Sequence, residues 1–96
     1  MSKQVLEIGV PKNVSASGAV TGVPTDLLGV FCNSSTSGTL KIYDGTGTSG
    51  AVVCNTFSVF GGQWYPLPFK FATGVYVTVG GTADVTFSWQ PSAYAT

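Results

Sequence analysis

The chain contains no histidine and no arginine, and only 8% of its 96 residues are charged. Its cations are four lysines, at positions 3, 12, 41 and 70, which four acidic residues balance to a net charge of zero. Nucleic-acid binding needs clustered cations, so these scattered lysines do not indicate a nucleic-acid partner. Without histidine there is no Ser-His or Cys-His pair and no common metal ligand. The composition therefore predicts a protein that is not an enzyme and holds no cofactor or metal.

Long apolar runs are also missing near the N-terminus, where MSKQVLEIGVPKNV has only a few consecutive apolar residues before Pro11. A membrane-spanning helix needs about 20 such residues, and the core of a signal peptide needs about 7 to 15. We therefore expect neither of them. The expected site of synthesis is the cytoplasm of the producing cell, with no membrane partner.

Cysteine is scarce, since only Cys32 and Cys54 occur, both in apolar surroundings. Their separation matches neither a zinc-ligand pair nor a CxxC redox motif. Buried free thiols are the favoured interpretation, and a disulfide between the two is the alternative.

Residues that favour strands are abundant, because valine, threonine and aromatics are frequent while strong helix formers never recur at helical spacing. Apolar alternation broken by glycine and proline predicts seven strands, over residues 4–10, 27–33, 39–43, 51–59, 64–71, 75–79 and 83–90. The predicted fold class is all-β: a single small antiparallel β-sandwich or jelly-roll-like domain of about seven strands.

The C-terminal third has the clearest alternation, with apolar residues at odd positions: Tyr65, Leu67, Phe69, Phe71, Val75, Val77, Val79, Ala83, Val85, Phe87 and Trp89. Three-residue loops at 72–74 and 80–82 would join these strands into an antiparallel meander with one core face. This arrangement places Val77 opposite Val85 and predicts a positive φ at Gly74. Pro66 and Pro68 lack backbone N–H groups on the same side, so that side should be a sheet edge.

Residues 11–25 are small and polar without a period. A loop of this length is uncommon unless it binds a partner or stays mobile. We therefore divide the chain into an N-terminal arm and loop over residues 1–26, which includes the first predicted strand, and a β-sandwich core over residues 27–96. An arm that grips a partner and a merely flexible terminus are both consistent with this pattern.

Two surface features bear on binding. Residues 45–50 read GTGTSG, a GxGxxG match, but strand-like residues follow where a dinucleotide site needs a helix, so we predict a hairpin loop.

Trp64 and Tyr76 have the opposite parity from the core positions of their strands. They are the candidate surface-binding residues, suited to stacking on a sugar, whereas Tyr65 and Trp89 carry core parity.

The segments LLGVFCNSSTSGTLKIYDG and TSGAVVCNTFSVFGGQWYPLPFKFATGVYVTVGG give the chain a resemblance over residues 27–89. In texture and order they resemble small β-sandwich proteins encoded among the virion genes of tailed bacteriophages, of the capsid decoration or cement kind. The resemblance implies a dimer or trimer that sits on the shell and clamps neighbouring capsomers. It transfers no functional residue.

The expected function is therefore that of a non-enzymatic structural virion protein, a homo-oligomeric decoration subunit that binds the major capsid protein and stabilises the shell. The alternative is a glycan- or receptor-binding module of a phage fibre or adhesin. Trp64 and Tyr76 would then be the first residues to replace.

Overall fold

The strand-forming composition produces an all-β fold in a computed structural model that describes residues 9–92. No helix occurs in that part of the chain, and seven strands confirm the predicted class. They are β1 (Val10–Val14), β2 (Gly18–Thr21), β3 (Thr25–Asp44), β4 (Ala51–Ser58), β5 (Trp64–Pro66), β6 (Lys70–Phe71) and β7 (Val75–Pro91). The first predicted strand, residues 4–10, lies almost wholly outside the described residues.

The two longest strands, β3 and β7, form the centre of one continuous antiparallel sheet. They pair along their whole length, from Thr25 opposite Pro91 to Asp44 opposite Val75. On its other side β7 pairs with β1 and β2, while β3 pairs with β4, β5 and β6. All other strands are therefore attached to this central β3–β7 ribbon.

Three β-bulges make β3 longer than its partner. β3 has 20 residues and β7 has 17, and each register shift in the ribbon places one extra residue in β3. A bulge reverses which positions face inward. The inward-facing positions of β3 are therefore odd at Leu27 and even at Val30 and Cys32, which follow the first bulge. Two further bulges reverse the parity twice, so the inward positions are even again at Leu40 and Ile42. The inward positions of β7 remain odd throughout.

The ribbon is bent back on itself, so that the two ends of β3 lie close together. An extended strand of 20 residues would be about 66 Å long, whereas the longest dimension of the molecule is 46 Å. At one end Thr25 pairs with Phe71. The next residue, Ala72, donates its N–H to the carboxylate of Asp44 at the other end. We call the part of the sheet around residues 25–32 of β3 the first half, and the part around residues 39–44 the second half.

Both halves contribute to one hydrophobic core, which lies against the inner face of the sheet. Phe71 and Phe87 are the largest side chains in it that are fully buried. Around them pack Val14, Val20, Leu27, Val30, Cys32, Leu40, Ile42, Val59, Leu67, Val75, Val77, Ala83 and Val85. The opposite side of the sheet is called the outer face.

The predicted meander over residues 64–90 is wrong in its pairing, although its shared core face is correct. Val77 and Val85 are both fully buried on the inner face, yet they pair with Ile42 and Cys32 instead of with each other. The predicted loop at 80–82 is a bend within β7. Gly81 (φ 63°) and Ser37 of β3 (φ 54°) have left-handed backbone there, which lets both strands turn without a break.

The segments at 27–33 and 39–43 are likewise parts of one strand, β3. The segment at 72–74 joins strands that both pair with β3, so it is no hairpin loop and Gly74 lacks the expected positive φ. Phe69 also departs from the prediction, with 43% of its surface exposed. Its N–H bonds to the carbonyl of Leu67 across Pro68, and this tight turn interrupts the alternation.

Residues 10–14 and 18–21 form strands of the sheet, although the sequence predicts an arm and loop over residues 1–26 and a core over residues 27–96. β1 pairs with residues 85–89 of β7 and β2 with residues 75–77. Val14 and Val20 are buried in the core. The small, polar character of this segment reflects two short edge strands and the turns beside them, and residues 1–8 lie outside the described residues.

The edge position of the prolines is as predicted. Leu67 donates its N–H to Leu28 of β3, and Gln63 accepts a bond from Cys32. The backbone groups of the odd-numbered residues therefore bond to β3. The backbone nitrogens of Pro66 and Pro68, which carry no hydrogen, face away from β3. This edge cannot extend the sheet by regular pairing.

Because Val20 is in the core, Val20→Ala should lower the free energy of unfolding by about 1–3 kcal/mol through lost burial and a residual cavity. Val23→Ala is the control, since 47% of Val23 is exposed, and it should change stability by less than about 0.5 kcal/mol. Urea unfolding of both variants measures the difference. Equal stabilities would mean that the N-terminal strands do not contribute to the core.

Asp44 closes the bent ribbon through hydrogen bonds from three successive backbone N–H groups. The donors are Ala72 at 2.9 Å, Thr73 at 2.9 Å and Gly74 at 3.5 Å. Desolvation raises the pKa of Asp44, but these donors lower it by more, so the pKa lies below its ordinary value of 3.8. The charged form is therefore the one that stabilises the fold.

A depressed folded-state pKa gives stability that is complete above the unfolded pKa and is lost as pH falls through the folded pKa. Asp44→Asn should lower stability at pH 7 by about 1–3 kcal/mol, because the NH2 group of the asparagine amide cannot accept a hydrogen bond from these N–H groups. It should also flatten the loss of stability below about pH 4. Thermal unfolding from pH 2 to pH 7 provides the comparison, and parallel profiles for the two proteins would contradict this role.

Candidate functional site

The described part of the chain offers no metal centre. Across residues 9–92, no three side chains of the histidine, cysteine, aspartate or glutamate type come together. No helix in this range is long and apolar enough to cross a membrane.

The cysteines are both free thiols, so the disulfide alternative is not formed. Cys32 is fully buried in the core, and Cys54 is partly buried against it. Burial raises the pKa of each thiol, which disfavours the reactive thiolate. Their role in the structure is packing.

Residues 45–50 connect β3 to β4, which pair as antiparallel neighbours with Asp44 opposite Ala51. A strand follows this loop in place of a helix, as the sequence predicted. A pyrophosphate would need a helix N-terminus here. The GTGTSG match is therefore a hairpin loop.

The outer face of the first half carries a row of side chains across four strands, which we call the Trp64 row. Asn13 of β1 lies opposite Thr86 of β7, Thr86 opposite Phe31 of β3, and Phe31 opposite Trp64 of β5. Directly paired residues share a face, and Phe31 points outward because its neighbours Val30 and Cys32 are buried. Phe31 is 38% exposed and Trp64 is 48% exposed. The row thus presents two adjacent aromatic side chains to solvent.

Trp64 lies over Gly29 on this face. A methyl group built on Gly29 would come within 2.5 Å of Cζ2 and 2.6 Å of Cη2 of the indole ring. Only glycine allows the ring to approach the backbone of β3 so closely. One side of the indole ring therefore packs against the backbone at Gly29, and about half of the Trp64 side chain remains exposed.

A polar cluster occupies the other end of the Trp64 row. Asn13 donates from Nδ2 to Oδ1 of Asp84 at 2.7 Å, and Asn33 donates from Nδ2 to the same oxygen at 3.1 Å. Asn33 also donates to the hydroxyl of Thr86 at 3.0 Å. Two amides and a carboxylate are thereby held beside the exposed aromatic pair.

Trp64 and Tyr76, the two residues predicted to bind at the surface, lie in different halves of the sheet. Tyr76 pairs with Tyr43, and the two rings contact edge to face with centroids 6.1 Å apart. The ammonium of Lys41 lies 5.5 Å from the centroid of the Tyr43 ring. Tyr76 is consequently half-buried, and the fold does not bring it to the Trp64 row.

A hydrogen-bonded turn after β4 presents Phe60, which at 65% exposure is the most exposed large hydrophobic residue among residues 9–92. Its N–H bonds to the hydroxyl of Tyr65 at 2.8 Å. Gly62 (φ 82°) forms the turn, and its N–H bonds to the carbonyl of Cys32 at 2.7 Å. Val59, just before Phe60, is buried. The turn is thus fixed on the core side while Phe60 points to solvent.

Phe31, Asn13, Asn33 and Asp84 were not among the predicted site residues. Residues 30–32 read Val-Phe-Cys, all apolar, so the sequence has no alternation there that indicates the outward position of Phe31. No sequence signal links Asn13 to Asp84, because they are 71 positions apart and meet only through the pairing of β1 with β7.

Comparison with known proteins found no matching protein-family model, no matching curated protein and no matching solved structure.

The close approach of Trp64 to Gly29 makes Gly29→Ala a direct test of the site geometry. The added methyl would also lie 2.6 Å from the carbonyl oxygen of Tyr65, so we expect a stability loss of about 1–3 kcal/mol and a displaced indole ring. Gly18→Ala is the control, because nothing lies within 4 Å of the added carbon. Thermal unfolding and acrylamide quenching of Trp64, both in a Trp89→Phe background, measure the two effects. Identical results for the two glycine variants would contradict the geometry.

Proposed function

We propose that the chain is a non-enzymatic structural protein of a virion, a decoration subunit that binds the major capsid protein on the shell. Synthesis in the host cytoplasm and assembly as a dimer or trimer are parts of this proposal. The resemblance over residues 27–89 supports it, as does a composition without histidine and with few charges. A decoration subunit needs a stable fold and a binding surface and has no need of reactive groups.

The observation that carries the proposal is the exposed Phe60 on its fixed turn. Anchor residues of protein interfaces are large side chains that fill a pocket of the partner, and a preorganised anchor loses little entropy on binding. Hydrogen bonds to Tyr65 and Cys32 hold this turn before any partner arrives. Phe60 therefore has the properties of such an anchor.

Charge contributes little to this mode of binding. Lys12, Lys41 and Lys70 lie on three different strands, and the net charge of the chain is zero. Long-range steering needs a concentrated field of one sign. Binding to the shell should therefore depend on apolar contact and change little with salt.

Phe60→Ala should reduce occupancy on purified capsid particles at least about tenfold, the effect of losing a typical anchor residue. Val52→Ala, which removes another exposed apolar side chain, is the matched control and should bind normally. Co-sedimentation at 50 mM and 500 mM salt provides the measurement, after light scattering has established the mass of each protein. Unchanged occupancy of Phe60→Ala, or loss of binding at high salt, would contradict the proposal.

A glycan-binding module of a fibre or adhesin is the second candidate function. The observation that favours it is the Trp64 row, in which exposed aromatics adjoin amide and carboxylate groups. This combination of an apolar surface with a few placed polar groups is typical of small-molecule recognition.

A further inference from the structure

We infer that the Trp64 row is a binding site for an uncharged saccharide chain, which packs on Trp64 and Phe31 and hydrogen-bonds to Asp84, Asn13 and Asn33. The inference deepens the second candidate function. It does not depend on the shell role, because the residues involved differ from Phe60.

The aromatic end of the row supplies the apolar contact. One side of a pyranose ring presents mainly C–H groups, which pack favourably against an aromatic face. The indole ring of Trp64 packs against the backbone at Gly29, and Trp64 lies beside Phe31 on the adjacent strand. The close approach to Gly29 restricts the indole ring of Trp64 before binding, which reduces the entropy lost on complex formation.

The polar end supplies hydroxyl recognition. Asn13 and Asn33 both donate to Oδ1 of Asp84, so the second oxygen of this carboxylate, Oδ2, is not used by those two bonds. Each amide also has a carbonyl oxygen that can accept from a hydroxyl. A carboxylate accepts strongly from sugar hydroxyls, since charge-assisted bonds are the shorter and stronger ones. The cluster thus matches a ligand rich in hydroxyl donors.

Charge and shape define the ligand class. Asp84 is the one charged side chain in the row and its polar cluster, so a sulfated or uronic-acid polymer would bring a like charge against it. Four neighbouring strands cover about 14 Å, which suits a chain of sugar rings better than a single ring. Because the row lies on an open sheet face, it buries less of a ligand than a cleft does, and we expect modest affinity for each site.

The test uses the full chain in native affinity electrophoresis through gels that contain a neutral polysaccharide: hydroxyethyl cellulose, galactomannan or dextran. At least one of these should retard the wild-type protein. Trp64→Ala should raise the dissociation constant at least about tenfold, while Trp64→Phe retains part of the affinity. Asp84→Asn should weaken binding several-fold without displacing the aromatic pair. Heparin and polygalacturonate gels should not retard the protein.

Controls separate this site from the rest of the surface. Tyr76→Ala removes an aromatic from the outer face of the other half, and Phe60→Ala removes the proposed capsid anchor; both should be retarded like the wild type. Circular dichroism establishes that each variant is folded, and Trp64→Phe serves if Trp64→Ala is not. The inference is overturned if no neutral polysaccharide retards the protein, if folded Trp64 variants bind normally, if only anionic polymers bind, or if Tyr76→Ala is equally impaired. If Phe60→Ala loses capsid binding but is still retarded by the polysaccharide gel, the capsid site and the saccharide site are separate.

Discussion

The backward bend of the β3–β7 ribbon is the constraint on which the rest of the structure depends. Two paired strands of this length have inward residues that would be exposed if the ribbon stayed straight. The bend places Val30 and Phe87 of one half in the same core as Ile42 and Val77 of the other. The carboxylate of Asp44 then binds the residues that follow Phe71 and connects the two ends. Removing the bend would leave two half-cores, each too small to be stable.

Local alternation was sufficient to predict some parts of this fold but not its connectivity. In β7 the inward positions stay odd, so the buried face of residues 75–87 could be predicted from sequence. The core parity of Tyr65 and Leu67 likewise predicted that Trp64 of β5 points outward. In β3 each bulge reverses the parity, and the polar residues 33–37 resemble a loop. The long strand was therefore interpreted as two short ones. Periodicity cannot distinguish a bulge in a continuous strand from a turn between two strands.

The candidate site was predictable only at its aromatic end, for the same reason. The outward position of Trp64 follows from local parity, but the packing of its indole ring against Gly29 depends on the pairing of β5 with β3. The contact between Asn13 and Asp84 requires β1 to be placed beside β7. Residues 10–21 show no alternation of their own, so their sequence indicates an arm and gives no sign of strand pairing. Their place in the sheet is determined by β7, which lies at the other end of the chain.

The order of the strands, with β7 after β1, β2 and β3, has a consequence for how the protein folds. β7 is the common neighbour of β1, β2 and β3, so none of these three can complete its pairing until it has been synthesised. Even the nearest pair of the ribbon, Asp44 and Val75, must close a long loop, and such non-local contacts slow folding. Among the described strands, the β3–β4 hairpin is the one extensive pairing between strands adjacent in sequence. During translation this hairpin can form early, while the apolar residues of β1, β2 and β3 remain exposed to chaperones and to other nascent chains.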